Sequence, residues 1–180
     1  MKLSDGEKLI LLMLADISRK VGAGREVDPD FVSHTLFYDQ TWGFNWKFTG
    51  IPFEKGEDPP EVTETVDILD MFDLTISQFE RLPAGEQEEV KKELGYAAGG
   101  LEQFPGFDAN NDAHYGVAQY LVEHLDRFKG LKGATNNSHS QSSLPRYRAM
   151  LQTYLPLRPK LGLGAEKFTA EDIISIFKLA

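Results

Sequence analysis

The polar segment Asn136–His139 brings the residue types of phosphate chemistry close together in the sequence. It reads Asn-Asn-Ser-His, and two arginines, Arg146 and Arg148, follow shortly after it. A histidine can transfer protons, and arginines can stabilise charge on phosphate oxygens. One hypothesis is therefore an enzyme that handles phosphate or phosphodiester groups with His139, Arg146 and Arg148. The alternative is a surface loop that bonds to its own backbone, so the sequence leaves open whether the chain is an enzyme.

Asp108 ends the short motif Gly106–Asp108 and has two interpretations. As a structural cap, its carboxylate accepts a backbone N–H at the start of a helix predicted over residues 109–128, which stabilises the helix by about 1 kcal/mol. In the functional interpretation, the same helix N-terminus binds an anion and Asp108 joins the catalytic residues.

Four aromatic residues alternate with other residues near positions 42–48. They are Trp42, Phe44, Trp46 and Phe48. A period of two predicts a short extended segment with one aromatic face. Such a face favours burial in the core or in a subunit interface, and Trp42, Phe44 and Trp46 are the candidates for it. The alternative is a platform on which a ligand or a base stacks.

Metal and acid–base chemistry have few candidates in this sequence. There is no cysteine, and the spacing of His114 and His124 is not the i,i+4 spacing of a helical metal pair. We therefore expect no metal and no cofactor. Asp73 lies at the edge of an apolar helical stripe, where it is either a buried acid or, as we expect, the partner of a lysine or arginine from the C-terminal third.

The distribution of charge bears on the choice of partner. The net charge is −9: residues 1–126 hold 25 acidic and 10 basic residues, and residues 127–180 hold 3 acidic and 9 basic residues. An acidic body opposes binding to DNA, because phosphate neutralisation supplies most of that affinity. The basic third is expected to pack against the acidic body or a neighbouring subunit. The alternative is that it meets an anion or makes the chain an RNA-binding module.

Helix signals recur along the chain. Ser4 and Glu7 have capping-box spacing before an apolar run, which predicts a helix over 5–20. Because that helix is apolar around most of its surface, we expect it to be buried on most sides. The remaining pattern predicts an all-α, multihelical single domain over 1–180, with further helices near 28–41, 60–82, 85–94, 109–128, 145–154 and 170–178.

No stretch approaches the roughly 18 apolar residues of a membrane span. The N-terminal apolar run is too short for a signal peptide. We therefore expect a cytoplasmic protein with no membrane partner.

Several short motifs together resemble the YfbU family of bacterial proteins, whose function is uncharacterised. They occur in the family's order: Gly43–Phe48, Val66–Phe72, Gly106–Asp108, Asn137–His139, Tyr147–Leu151 and Thr169–Ile174. The resemblance implies a small cytoplasmic multihelical bacterial protein that forms oligomers, and it implies no reaction. We therefore expect a homo-oligomer, or a protein that binds another protein, in a regulatory role.

Overall fold

The fold consists of α-helices joined by turns and short 3-10 helices. The computed structural model describes residues 2–22, 26–53, 57–134, 142–161 and 167–178, and within these ranges there is no β-strand. The all-α fold class is therefore confirmed. The α-helices are α1 (Asp5–Val21), α2 (Pro29–Phe37), α3 (Gly43–Lys47), α4 (Pro60–Glu80), α5 (Ala84–Leu94), α6 (Gly99–Glu102), α7 (Ala113–Glu123), α8 (Leu144–Leu157) and α9 (Ala170–Phe177). The 3-10 helices span Gly95–Ala98, Lys129–Leu131 and Arg158–Leu161.

Local capping explains where α1 and α2 begin. The Ser4 hydroxyl accepts from the Glu7 N–H, and the Glu7 carboxylate accepts from the Ser4 N–H at 2.8 Å. Gly22 ends α1 in the left-handed conformation, with φ 68°. Asp28 caps α2, and Pro29 occupies its first turn. These signals are local, and the starts that they predict are confirmed.

Helix α4 is the centre of the core. Val62, Ile68, Leu69, Met71 and Phe72 are fully buried along its apolar stripe. The helix packs against α6, α7, α8 and α9, while α5 packs against α9 and α1 packs mainly against α2. The body of the protein is thus assembled around α4, and α1 and α2 form a hairpin that contacts this body through α2.

An aromatic cluster fixes the turn before α7 to the core. The Phe72 ring lies 4.7 Å from Phe104, 5.2 Å from Tyr147 and 5.8 Å from Phe177 between centroids. Phe107 packs on Tyr147 at 5.6 Å. Since rings from α4, α8, α9 and the turn meet here, the cluster determines how these elements are oriented.

The predicted extended segment near 42–48 is wrong, because this segment forms helix α3. Its period of two is also a pair of i,i+4 relations: Trp42 packs on Trp46 at 5.5 Å, and Phe44 stacks on Phe48 at 6.4 Å. A helix therefore satisfies the same alternation with two adjacent aromatic stripes. Gly43 allows the close approach, since a Cβ there would collide with the Tyr120 phenol.

The expectation that the first helix is buried on most sides is also wrong for the single chain. In α1, Ala15 is the buried residue, and the helix leaves large apolar side chains exposed. Periodicity shows that a surface is apolar, but it does not show whether the same chain covers it.

Candidate functional site

Asp108 is fully buried, and its carboxylate stabilises the loop before α7 rather than the N-terminus of that helix. Its Oδ1 accepts from the Asn110 N–H at 2.9 Å, and its Oδ2 accepts from the Asn111 amide at 2.5 Å. The N-cap residue of α7 is Asp112, four residues later. The predicted helix start at 109 is therefore wrong, because Asp108 caps the turn Ala109–Asn111 in the manner of an Asx-turn.

The same turn is tied to the start of α8. The Asp108 N–H donates to Asp112 Oδ2 at 3.2 Å, and the Ser142 hydroxyl donates to Asp112 Oδ1 at 2.9 Å. The Tyr147 hydroxyl donates to the Gly106 carbonyl at 2.6 Å. Burial raises the pKa of Tyr147 to about 12, so this hydroxyl remains a donor at ordinary pH.

Beside this turn, Glu64 joins three elements through charge-assisted hydrogen bonds. The Arg148 guanidinium donates to both carboxylate oxygens of Glu64, at 2.6 and 2.9 Å. His114 Nε2 lies 2.8 Å from Glu64 Oε2. The Arg148 guanidinium holds the pKa of Glu64 at about 2, with a further contribution from His114. Glu64 therefore stays ionised and connects α4, α7 and α8.

This cluster resembles a carboxylate–imidazole dyad, but its geometry is that of a closed ion pair. His114 is buried, and its Nδ1 has no hydrogen-bond partner among the described residues. The ring packs 5.8 Å from Phe107. A general base needs a substrate within hydrogen-bond reach, whereas His114 is only 7 % exposed and packs beside Phe107.

Of the residues predicted for phosphate chemistry, the two arginines lie within the described structure and the histidine does not. His139 and the whole segment Asn136–His139 lie outside the described residues. Arg148 forms an ion pair with Glu64. Arg146 is half-buried, and its Nε has no hydrogen-bond partner among the described residues.

The basic C-terminal third packs against the acidic face of α4. Arg158 lies 3.0 Å from Asp70 and 3.3 Å from Asp67, and the Tyr154 hydroxyl donates to Asp70 at 2.8 Å. Asp73 differs from the expectation, since no lysine or arginine of the described residues forms an ion pair with it. Its burial, together with Asp70, raises the pKa of Asp73.

The aromatic residues predicted as an interface or ligand platform contribute mainly to the core of the subunit. Trp42 is 6 % exposed and Phe44 is 5 % exposed. Trp46 is half-buried: its indole N–H donates to Asp58 at 2.9 Å, and the Arg127 guanidinium lies 5.7 Å from its ring centroid. Most of the surface of these three side chains is therefore covered within the chain.

A further apolar surface is the outer face of α1, which the sequence pattern was expected to bury. Each of its six large apolar side chains is between 53 % and 68 % exposed. They are Leu9, Ile10, Met13, Leu14, Ile17 and Val21. We call this set the α1 outer face. The signal was present in the sequence, because an apolar stripe that extends around most of a helix is wider than one packing partner can cover.

A groove adjoins the N-terminal half of the α1 outer face. It has a volume of about 390 Å³, and Leu3, Glu7 and Ile10 form one wall. Phe44, Phe48 and Phe53 contribute to the rest of its lining. Ile10 belongs both to the groove and to the α1 outer face, so the two form one continuous apolar surface.

Comparison with known proteins identifies the family. A model of the YfbU domain matches residues 41–175 of the 180-residue chain. The chain belongs to the YfbU family. No curated protein and no solved structure matches it. The YfbU match covers the Glu64 cluster and the Asp108 turn, and it begins after α2.

Two further observations concern what this YfbU protein could bind. Within the described ranges, no helix is both long and apolar enough to cross a membrane. Among those same residues, no three histidine, aspartate or glutamate side chains are placed to hold a metal ion.

Proposed function

We propose that this YfbU-family protein works by self-association and that the α1 outer face is its subunit interface. The observation that carries the proposal is the exposure of six large apolar side chains on one helix. The largest apolar patch on a typical monomer covers about 300–600 Å² and is often functional. An uncovered face of this size on the first helix is best explained by a partner.

The available area is sufficient for a specific interface. A large apolar side chain that is more than half exposed leaves on the order of 100 Å² in contact with water, so the α1 outer face leaves about 600 Å². Two copies that cover each other would bury about 1,200 Å² in total, which is the lower end of specific interfaces. The adjoining groove adds to this area.

The polar cluster of the body supports association over catalysis. Its arginine is held by both oxygens of Glu64, and its histidine is enclosed beside Phe107. Releasing Arg148 to bind a phosphate would leave a carboxylate without its main partner, which is costly for a partly buried group. A protein that acts through its assembly state fits a regulatory role.

Light scattering after size-exclusion chromatography tests the proposal. We expect the wild-type chain at about 50 µM to have the mass of two or more subunits, a concentration chosen from the affinity scale of ordinary protein interfaces. Changing both Met13 and Ile17 to glutamate should give the mass of one subunit, because it places charge in the apolar interface. Circular dichroism should show unchanged helix content, since both positions are exposed in the single chain.

The matched control is Tyr96→Glu, at a fully exposed residue that lies within the YfbU match and outside α1. This variant should keep the wild-type mass. A wild-type chain that is monomeric at this concentration would overturn the proposal, and so would a double glutamate variant that keeps the wild-type mass.

A further inference from the structure

We infer that two copies of α1 pair in antiparallel orientation about a two-fold axis near Met13. This inference rests on the self-association proposed above and specifies the partner as a second copy of this chain. The groove and the charges at the two ends of α1 carry it.

The two sides of α1 have different roles. Ala15 is buried and Leu11 and Leu12 are partly buried, and all three lie on the side that packs against α2 and the core. The residues of the α1 outer face recur at spacings of three and four over three turns, so they form a continuous stripe. The stripe extends along most of the helix, and a second helix of equal length can therefore cover it.

The ends of α1 carry opposite charges. Asp5 and Glu7 lie in its first turn, and Arg19 and Lys20 lie in its last turn. Arg19 already binds Asp30 at 2.7 Å, and Glu7 belongs to the capping box. Neither Asp5 nor Lys20 has an ion pair within the described part of the chain. The two charges that remain available therefore lie at opposite ends of the same helix.

A two-fold interface must be complementary to itself. Antiparallel pairing brings Asp5 of each copy towards Lys20 of the other, and it also opposes the two helix dipoles favourably. Parallel pairing would place Asp5 against Asp5 and Lys20 against Lys20. Charge therefore selects the antiparallel orientation.

The register follows from the same positions. Met13 lies midway between Leu9 and Ile17, and it lies next to the midpoint between Asp5 and Lys20. An axis at Met13 brings Leu9 opposite Ile17 and brings Met13 opposite its own copy. A flexible methionine at the axis can adjust to its symmetry mate.

This register also provides an occupant for the groove. The wall formed by Leu3, Glu7 and Ile10 lies at the N-terminal half of α1. Antiparallel pairing brings the C-terminal half of the second α1 to that wall, with its Val21, which is 68 % exposed in the single chain. Val21 of each copy then occupies the groove of the other copy.

Cysteine cross-linking tests the arrangement, because the natural chain contains no cysteine. A disulfide requires the two Cα atoms to lie about 4.4–6.8 Å apart. After mild oxidation, Met13→Cys should form a covalent dimer by itself. Leu9→Cys and Ile17→Cys should each remain uncrosslinked alone. The Leu9→Cys and Ile17→Cys variants are then mixed and allowed to exchange subunits, with a mass tag on one of them. The mixture should form a disulfide-linked dimer that contains one subunit of each variant. Tyr96→Cys is the control and should form none.

The outcomes separate this inference from the proposal on which it rests. If all three α1 variants cross-link to themselves, the helices are parallel and the inference is wrong, although self-association stands. If the protein has a dimer's mass but neither Met13→Cys nor the mixture cross-links, the antiparallel register is again wrong. A monomeric wild type in light scattering removes both the proposal and the inference.

Discussion

Helices α1 and α4 are both rich in apolar residues, but the chain covers them very differently. In α4 five apolar residues are fully buried, and Glu64 and Asp70 beside them pair with Arg148 and Arg158. In α1 the inner side packs against α2, while the α1 outer face remains in solvent. The comparison teaches that apolar character along a helix does not determine how much of that helix the same chain covers. Under the proposal above, a second copy of the chain covers the α1 outer face.

The largest expected loss of stability comes from truncating a core side chain of α4. Phe72→Ala should destabilise the fold by about 3–5 kcal/mol, because it leaves a cavity among Phe104, Tyr147 and Phe177. Ile17→Ala on α1 should change the stability of the single chain by less than about 0.5 kcal/mol. Urea denaturation at a concentration low enough to keep the chain monomeric measures both. Equal losses for the two variants would remove the distinction between the helices.

A second test concerns the contact between α3 and α7. Gly43→Ala should destabilise the protein by about 1–3 kcal/mol, since the added methyl group collides with the Tyr120 ring. Gly116→Ala is the matched control: it lies within α7 with open space around its Cα, and it should stabilise the helix by about 0.5–1 kcal/mol. Thermal unfolding of the two variants should move in opposite directions. A neutral Gly43→Ala would mean that Tyr120 moves aside freely.

The ion pair at Glu64 gives a third test, with a defined dependence on pH. Glu64→Gln should cost about 1–3 kcal/mol at neutral pH, because Arg148 and the buried His114 both lose a charged partner. In the wild type, Arg148 and His114 lower the pKa of the Glu64 carboxyl group from 4.5 to about 2. The ionised carboxylate therefore contributes its full stabilisation above about pH 4.5, and this stabilisation is lost as the pH falls towards 2.

Unfolding free energies at pH 7 and near pH 3 therefore distinguish Glu64 from an ordinary surface acid. The difference in unfolding free energy between wild type and Glu64→Gln should be smaller near pH 3 than at pH 7. The control Glu88→Gln, at an exposed position, should change the unfolding free energy little at either pH. A difference that stays constant between the two pH values would contradict the ion pair.

The smallest effect is expected where the hairpin of α1 and α2 meets α7. His34 Nδ1 lies 3.1 Å from His124 Nε2, and burial together with His34 lowers the pKa of His124. A lowered histidine pKa means that the unfolded chain binds the proton more readily, so stability falls as the pH drops below about 6.5. His124→Gln should reduce this loss between about pH 7 and 5. An unchanged pH profile in that range would show that the pair does not titrate in this way.

The sequence predicted the features that depend on neighbouring residues. The capping box of Ser4 and Glu7 correctly located the start of α1, and the helix predicted from residue 60 begins there as α4. Individual pairings between distant residues could not be predicted, although the charge distribution indicated that the basic third packs against the acidic body. The contact between Glu64 and Arg148 joins positions 84 residues apart, and nothing in either local pattern indicates it.

Three errors have a specific physical origin. In α3, a period of two coincides with i,i+4 pairing, so the aromatic alternation could not distinguish a strand from a short helix. At Asp108, a side chain that can cap a helix capped a turn instead, and α7 began at the next suitable position. The burial of α1 was misjudged because apolar character in a sequence does not reveal which molecule covers it.

Hydrogen exchange measured over a range of protein concentrations tests the central claim most directly, because it compares α1 and α4 in one sample. We predict that amide protection in α1 increases between about 1 and 100 µM, a range that spans the affinity of ordinary self-association, while protection in α4 stays constant. Protection in α1 that is independent of concentration, in a chain that remains monomeric across this range, would contradict the claim that its outer face is a subunit interface.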